Sequence, residues 1–351
     1  MRGGSARAER LGTIAVTAAL ALAVVVAPAS ATTGPLPALR TIAADVAAGL
    51  TLRAASASVR AQVPNDEYAW IPNSTCLTTA IRSSNATPCV LGDAAATTTV
   101  VVFGDSSADQ WALDLGKLGT KHAFRVVVYV HAACPVGAIT VELAGHGVDP
   151  SCATFRNDVL ADLVHMTPVP ALVVVSELRL SNYVTPSGGS VSNSAWASAL
   201  TTTLTTLSAD GDAALLLHGV PVTTLDPAQC IAANPTALQR CTSKRKAGDP
   251  SGYDAATWAG ARAAHAAGAN VTPLFCTAVA CPSVAGGEIT HSGNNHVTEA
   301  YAAVADAALG ELLGCASVQA FGHATAAAAV LRSLLGRRTI AVTEACRALP
   351  R

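Results

Sequence analysis

Along residues 97–275 the apolar positions fall into two textures that take turns. TTTVVVF at 97–103, AFRVVVYV at 123–130, ALVVVSEL at 171–178, AALLLHGV at 213–220 and NVTPLF at 270–275 are short and rich in apolar, often β-branched residues. Such runs have the unbroken hydrophobicity of strands buried on both faces. Between them, mixed polar and apolar spacing predicts helices over 108–118, 152–166, 195–208 and 253–268. Strands alternating with helices predict an α/β fold: a three-layer α/β/α sandwich around a mostly parallel five-stranded sheet. A closing helix is expected over 297–313, and an amphipathic helix over 38–63 leads into the loop-like PNDEYAWIPNSTC.

The pattern also marks where the strands stop. VVVFGDSSADQW, residues 100–111, runs a strand straight into Gly104, Asp105, Ser106 and Ser107. Glycine suits a tight bend, and Asp or Ser suits a helix N-cap, so this is turn chemistry on one reading. On the other, the turn lifts a hydroxyl to the C-terminal edge of the sheet, where open α/β sheets bind ligands, and makes it a nucleophile. Two Gly/Ser/Asn-bearing loops, 181–196 and 228–252, are expected at the same edge. A serine nucleophile needs a general base from elsewhere in the chain. Of the nine histidines, His296 in HSGNNHVTEAY lies in a Gly/Asn-rich loop between the last strand and the last helix, which is again that edge. His165 and His218 sit at element ends and read as structural, and SKRKAGD at 243–249 reads as a solvated basic loop.

Charge removes one class of partner. With Lys+Arg 22 against Asp+Glu 23, nothing in the balance favours nucleic acid. The N-terminus carries Arg2, Arg7 and Arg10, an apolar run over 14–27, and Ala29-Ser30-Ala31. This predicts a secretory signal peptide cleaved after Ala31 and therefore an exported protein. The other reading is an uncleaved anchor, but the run falls short of the roughly 20 residues of a spanning helix. The expected division is a signal peptide at 1–31, an N-terminal helix and disulfide-stapled lead-in at 32–95, the main domain at 96–313, and an extension at 314–351.

Ten cysteines in an exported chain read as disulfides. They fall into neighbours, Cys76 with Cys89, Cys134 with Cys152, Cys230 with Cys241, Cys276 with Cys281 and Cys315 with Cys346, although spacing alone does not fix connectivity. A competing outline, Cys276-x4-Cys281-x9-His291-x4-His296, approaches a zinc site. An oxidising compartment disfavours thiolate ligands, so neither a metal nor a cofactor is expected.

Taken together, GDSSADQW with its preceding strand, LFCTAVACP and NNHVTEAYAAVA resemble the SGNH (GDSL-type) hydrolase family. More narrowly, they resemble the extracytoplasmic SGNH domain attached to membrane acyltransferases that O-acylate cell-surface glycans. CVLGD at 89–93, HAACP at 131–135, DPAQC at 226–230 and the spacing of the middle cysteines add to the resemblance, which covers about residues 65–313. It implies a flavodoxin-like topology, Ser106 as nucleophile, His296 as general base, and an oxyanion hole that includes the Ser106 backbone N–H at a helix start.

The chain departs from that pattern at two positions. Ser107 stands where the subfamily usually has histidine, and Gly293 stands where it has an aspartate three residues before the catalytic histidine. Neutralising such an acid costs on the order of 10⁴ in serine proteases. Asn294, Asn295, a loop carbonyl, Glu288 or Glu299 are candidates to orient His296 instead, and Asn182 is the positional candidate for the oxyanion hole. The expectation is an exported SGNH-like serine O-acyltransferase or esterase acting on O-acyl groups of cell-envelope glycans or another ester substrate. A separate membrane partner would donate the acyl group for transfer. The alternative is a non-catalytic, degenerate SGNH-fold binding or scaffolding domain. Restoring a carboxylate with Gly293→Asp is expected to raise ester turnover.

Overall fold

The computed structural model describes residues 36–65, 88–143, 147–178, 183–184, 189–209, 213–223, 225–245, 253–293, 296–321 and 334. All lie in the unit formed by residues 32–351, while residues 1–31 form a unit of their own outside the described residues.

Helix α1 (Pro37–Gly49) and the short α2 (Ala57–Gln62) precede strand β1 (Cys89–Gly92). Then come β2 (Thr99–Gly104), α3 (Ser106–His122), β3 (Arg125–Val130), α4 (Pro150–His165), β4 (Leu172–Ser176), α5 (Asn193–Ala209) and β5 (Ala214–Leu217). The rest of the main body is α6 (Pro227–Ala233), α7 (Tyr253–Ala263), β6 (Ala267–Ala269) and α8 (Glu299–Phe321). The six strands form one sheet in the order β1-β3-β2-β4-β5-β6. Five run parallel, and β1 pairs antiparallel with β3 at one edge, Cys89 opposite Val128.

Alternation along the strands divides the core into two layers. Val100 and Val102 of β2 join Trp111 and Leu115 of α3, Tyr301 and Leu309 of α8, and Ile42 and Val46 of α1. Val101 and Phe103 face the other way, onto Phe155 of α4, Trp196 and Leu200 of α5, and Ala261 of α7. A sheet buried on both faces needs apolar residues at every position, which is why β2 is buried throughout. Helix α1 lacks an N-cap side chain of its own, and the Glu311 carboxylate of α8 takes that role. It accepts from the backbone N–H of Leu39 (2.9 Å) and Ala38 (3.2 Å).

Three elements differ from the sequence expectation. The helix expected over 38–63 is two helices, because the chain turns after Gly49 and restarts with Ser56 capping the Val59 N–H (3.1 Å). The fifth parallel strand is AGA at 267–269, overlapping the end of the helix expected over 253–268. The expected strand NVTPLF instead contains a 3-10 turn, Thr272–Leu274, whose Pro273 has no N–H for a ladder. The sheet has six strands rather than five because CVLG, read as lead-in, adds β1.

Register puts the ends of three strands level: Gly104 of β2 pairs with Val130 of β3 and Ser176 of β4. The next residues, Asp105, His131 and Glu177, therefore emerge side by side at the C-terminal edge. Gly104 has no room for a side chain: a Cβ there would stand 2.8 Å from Ala108 Cβ and 3.0 Å from the Ser176 carbonyl carbon, nearer still to its oxygen. Since backbone cannot yield as a flexible side chain does, Gly104→Ala is expected to destabilise the fold by about 3 kcal/mol, the upper end of overpacking costs. Equilibrium urea unfolding of the two proteins measures it.

Candidate active site

The turn after β2 is organised by Asp105. Its Oδ1 accepts from the Ser107 N–H (2.7 Å), capping α3, while Oδ2 accepts from the Leu178 N–H (2.9 Å) beyond the end of β4. One carboxylate thus starts the helix and ties it to the neighbouring strand. Burial pushes its pKa up to about 6 even though these hydrogen bonds favour the charged form. Ser106, half-buried, is the first residue of the helix, where backbone N–H groups point outward unpaired by the helix ladder.

Beside Asp105, Glu177 is buried and accepts from the Gly137 N–H (3.2 Å). Burial, reinforced by the Asp105 charge, pushes its carboxyl up to about 8 against the pull of hydrogen bonding and Arg156. His131 is packed rather than poised: its ring lies against Phe155, with Nδ1 3.0 Å from the Ala132 carbonyl and Nε2 3.4 Å from Ser151 Oγ.

His296 is buried in the segment entering α8. The link to the serine turn is Gln110, which the sequence reading passed over. On the helix it is four residues past Ser106, on the same face. Its Nε2 donates to the Ser107 carbonyl (3.0 Å), and its Oε1 accepts from the Val297 N–H (2.9 Å). A single buried amide therefore joins the residue after Ser106 to the residue after His296. No local pattern singles it out, because its neighbours along that face, Ser106, Ser107 and Asp114, are polar as well.

The loop before His296 is closed by the Ser292 N–H donating to the His296 carbonyl (2.8 Å) and by an antiparallel bridge between His291 and Val297. His291 is locked between two hydroxyls, Nε2 2.6 Å from Thr223 Oγ1 and Nδ1 2.8 Å from Thr290 Oγ1. Thr290 Oγ1 also donates to the Pro282 carbonyl (3.1 Å), so it accepts from His291 Nδ1–H. Burial lowers its pKa to about 4. The zinc outline fails because Cys276 and Cys281 are disulfide-bonded, Cα atoms 4.1 Å apart, and offer no thiolates. The pairs Cys134–Cys152 and Cys230–Cys241 are bonded as expected from their spacing. Cys89 and Cys315 each take part in a disulfide, and their expected partners, Cys76 and Cys346, lie outside the described residues.

Asn182, Asn294 and Asn295 also lie outside the described residues. Glu299 is exposed in the first turn of α8, and Glu288 is half-buried in a two-stranded ribbon. At Gly293 a Cβ would lie 2.9 Å from Asp226 Cγ and closer to its Oδ2, so Gly293→Asp would set a second carboxylate beside that of Asp226, which must shift to admit it.

Two outcomes are expected. Gln110→Ala leaves the buried Val297 N–H unpaired and should destabilise by about 2 kcal/mol, with faster hydrogen exchange at that amide as the local readout. For Glu177, whose ordinary value is 4.5, a raised folded-state pKa gives stability that is full below about 4.5 and lost as pH rises through about 8. Glu177→Gln should flatten that loss, so urea midpoints of variant and wild type, with Asp105, Arg156 and Tyr183 unchanged around the site, should diverge in the variant's favour between pH 5 and pH 9.

Among known proteins, the chain matches the family described as SGNH domain (fused to AT3 domains) over residues 75–310. It is similar to a solved structure of the periplasmic domain of a lipopolysaccharide acetyltransferase from Salmonella ser. Paratyphi A. Identity is 14% and the TM-score 0.45, with 59% of this chain and 80% of that chain covered. No curated protein matches. With more than half of its length matched, together with a flavodoxin-like parallel sheet and GDSS at the end of β2, this chain belongs to the family of SGNH domains of the kind fused to AT3 domains.

Proposed function

We propose that this protein is an exported serine O-acyltransferase or esterase that moves or removes O-linked acyl groups on cell-envelope glycans, with Ser106 as nucleophile and His296 as general base. The observation that carries the reading is the Gln110 bridge, which holds the serine turn and the histidine segment, 187 residues apart at Gln110 and Val297, to one edge of the sheet. Family membership supports the reaction class, and the disulfides fit an oxidising compartment.

In the first half-reaction Ser106 Oγ bonds to the acyl carbonyl carbon as its proton passes to His296. The oxyanion faces the backbone N–H at the start of α3, where the helix dipole favours negative charge. Collapse breaks the ester bond, and the leaving alcohol takes the proton from the imidazolium. In the second half-reaction a sugar hydroxyl, or water, gives its proton to His296 and attacks the acyl carbon, and His296 returns the proton to Ser106 Oγ as the acyl-serine bond breaks. Transfer needs an acyl donor, which a membrane partner of the AT3 type would present. Hydrolysis needs none.

With 4-nitrophenyl acetate as probe, Ser106→Ala and His296→Ala should each lower turnover at least about a hundredfold, the scale of a general base. Mass spectrometry should find an acetyl adduct on the peptide carrying Ser106. A wild type no faster than Ser106→Ala would instead leave an SGNH-fold binding domain as the reading.

A further inference from the structure

Gly293 is not glycine for the sake of its backbone, because its φ lies outside the left-handed range that an L side chain avoids. What a side chain there would meet is another carboxylate. An ideal Cβ at 293 would stand 2.9 Å from Asp226 Cγ and closer still to Oδ2, so the Asp226 carboxylate fills the volume into which an aspartate at 293 would place its own. The acid missing from position 293 thus has a counterpart in the loop after β5.

We infer that Asp226 is the positioning residue for His296, supplying from that loop the carboxylate that the residue three before the histidine does not. This rests on the Ser106–His296 reading above. Asp226 is well held for the role. Its Oδ1 accepts from the Gln229 N–H (3.0 Å) as the N-cap of α6, with Pro227 at the first helical position. Helix α6 is in turn anchored by buried Ile231 and by the Cys230–Cys241 disulfide. With Oδ1 so engaged, Oδ2 is the oxygen turned to Gly293. The segment that receives it is tied to the one carrying His296, by the Ser292 N–H donating to the His296 carbonyl and by the bridge between His291 and Val297. The charge reaches this turn, since Asp226 favours protonation of His291, two residues before Gly293, against the stronger opposing effect of burial. His291 cannot itself use the carboxylate, because both ring nitrogens are taken by Thr223 and Thr290. Of the other carboxylates near the loop, Glu299 faces solvent and Glu288 belongs to the ribbon.

The test moves the carboxylate. Asp226→Asn keeps a side-chain oxygen for the α6 cap and removes the charge; Asp226→Ala empties the space; Asp226→Ala with Gly293→Asp refills it from the other side. All are assayed on 4-nitrophenyl acetate beside wild type and Ser106→Ala, with urea unfolding as a check that each is folded. Asp226→Asn is expected to lower kcat about a hundredfold or more with KM changed less than about twofold, in line with neutralising a triad acid. The double variant should recover to within about tenfold of wild type, which loss of a helix cap alone would not allow. Gly293→Asp by itself, with two carboxylates in one space, should be slower than wild type. Wild-type kcat in Asp226→Asn, or a folded double variant no faster than Asp226→Ala, overturns the inference while leaving the nucleophile reading intact. A wild type no faster than Ser106→Ala overturns both.

Discussion

The Asp105 carboxylate is the constraint from which this edge of the molecule is built. Its two oxygens accept from backbone N–H groups at Ser107, in α3, and at Leu178, just past β4, so the direction of α3 and the end of β4 are set by one buried group. Nothing about the arrangement is inexpensive in water-free surroundings, as the upward displacement of its pKa records. A group that satisfies two donors at once nonetheless leaves neither unpaired, and it frees the first residue of the helix, Ser106, from capping duty. In GDSS, turn chemistry and candidate nucleophile are therefore separate residues: Asp105 makes the turn, and Ser106 is what the turn presents.

The remaining parts of the candidate site reach the edge through equally specific ties. Gln110 spans from α3 to the chain entering α8, and Thr298 opens α8 by accepting from the Tyr301 N–H (3.2 Å) while its hydroxyl donates to the Ile289 carbonyl. The loop after β5 is held by a disulfide, as is the segment after β6. Loops normally carry the most mobile residues of a domain. Here side-chain to backbone bonds and covalent staples give them the fixed geometry that acid-base chemistry demands.

How much of this was legible in the chain depends on the range of the interaction. The strand runs of Val100 to Val102 and Val126 to Val128 announced themselves, because burial on both faces leaves a purely local signature. Strand β6 did not: Ala-Gly-Ala has weak strand preference and is a strand only because Ala269 pairs with Leu217 and Trp258 packs over Gly268. Ser106 and His296 were placed at one edge by counting elements. Gln110 lay hidden because a buried glutamine is explained only by a partner far along the chain. Asp226 was visible only within DPAQC, as part of a resemblance, and its relation to Gly293 is a matter of shared volume, which no pattern in either segment encodes.

The separations bridged at this edge bear on how the protein acquires its site. Asp105 meets Leu178 across 73 residues and Gln110 meets Val297 across 187. Closing such loops costs entropy before any contact rewards it, and parallel pairing defers that reward further. As the chain leaves a ribosome, the serine turn exists long before its glutamine has anything to hold. The candidate site on this scaffold is a property of the finished topology, completed when the segment entering α8 docks, and an incomplete chain carries GDSS as a turn and nothing more.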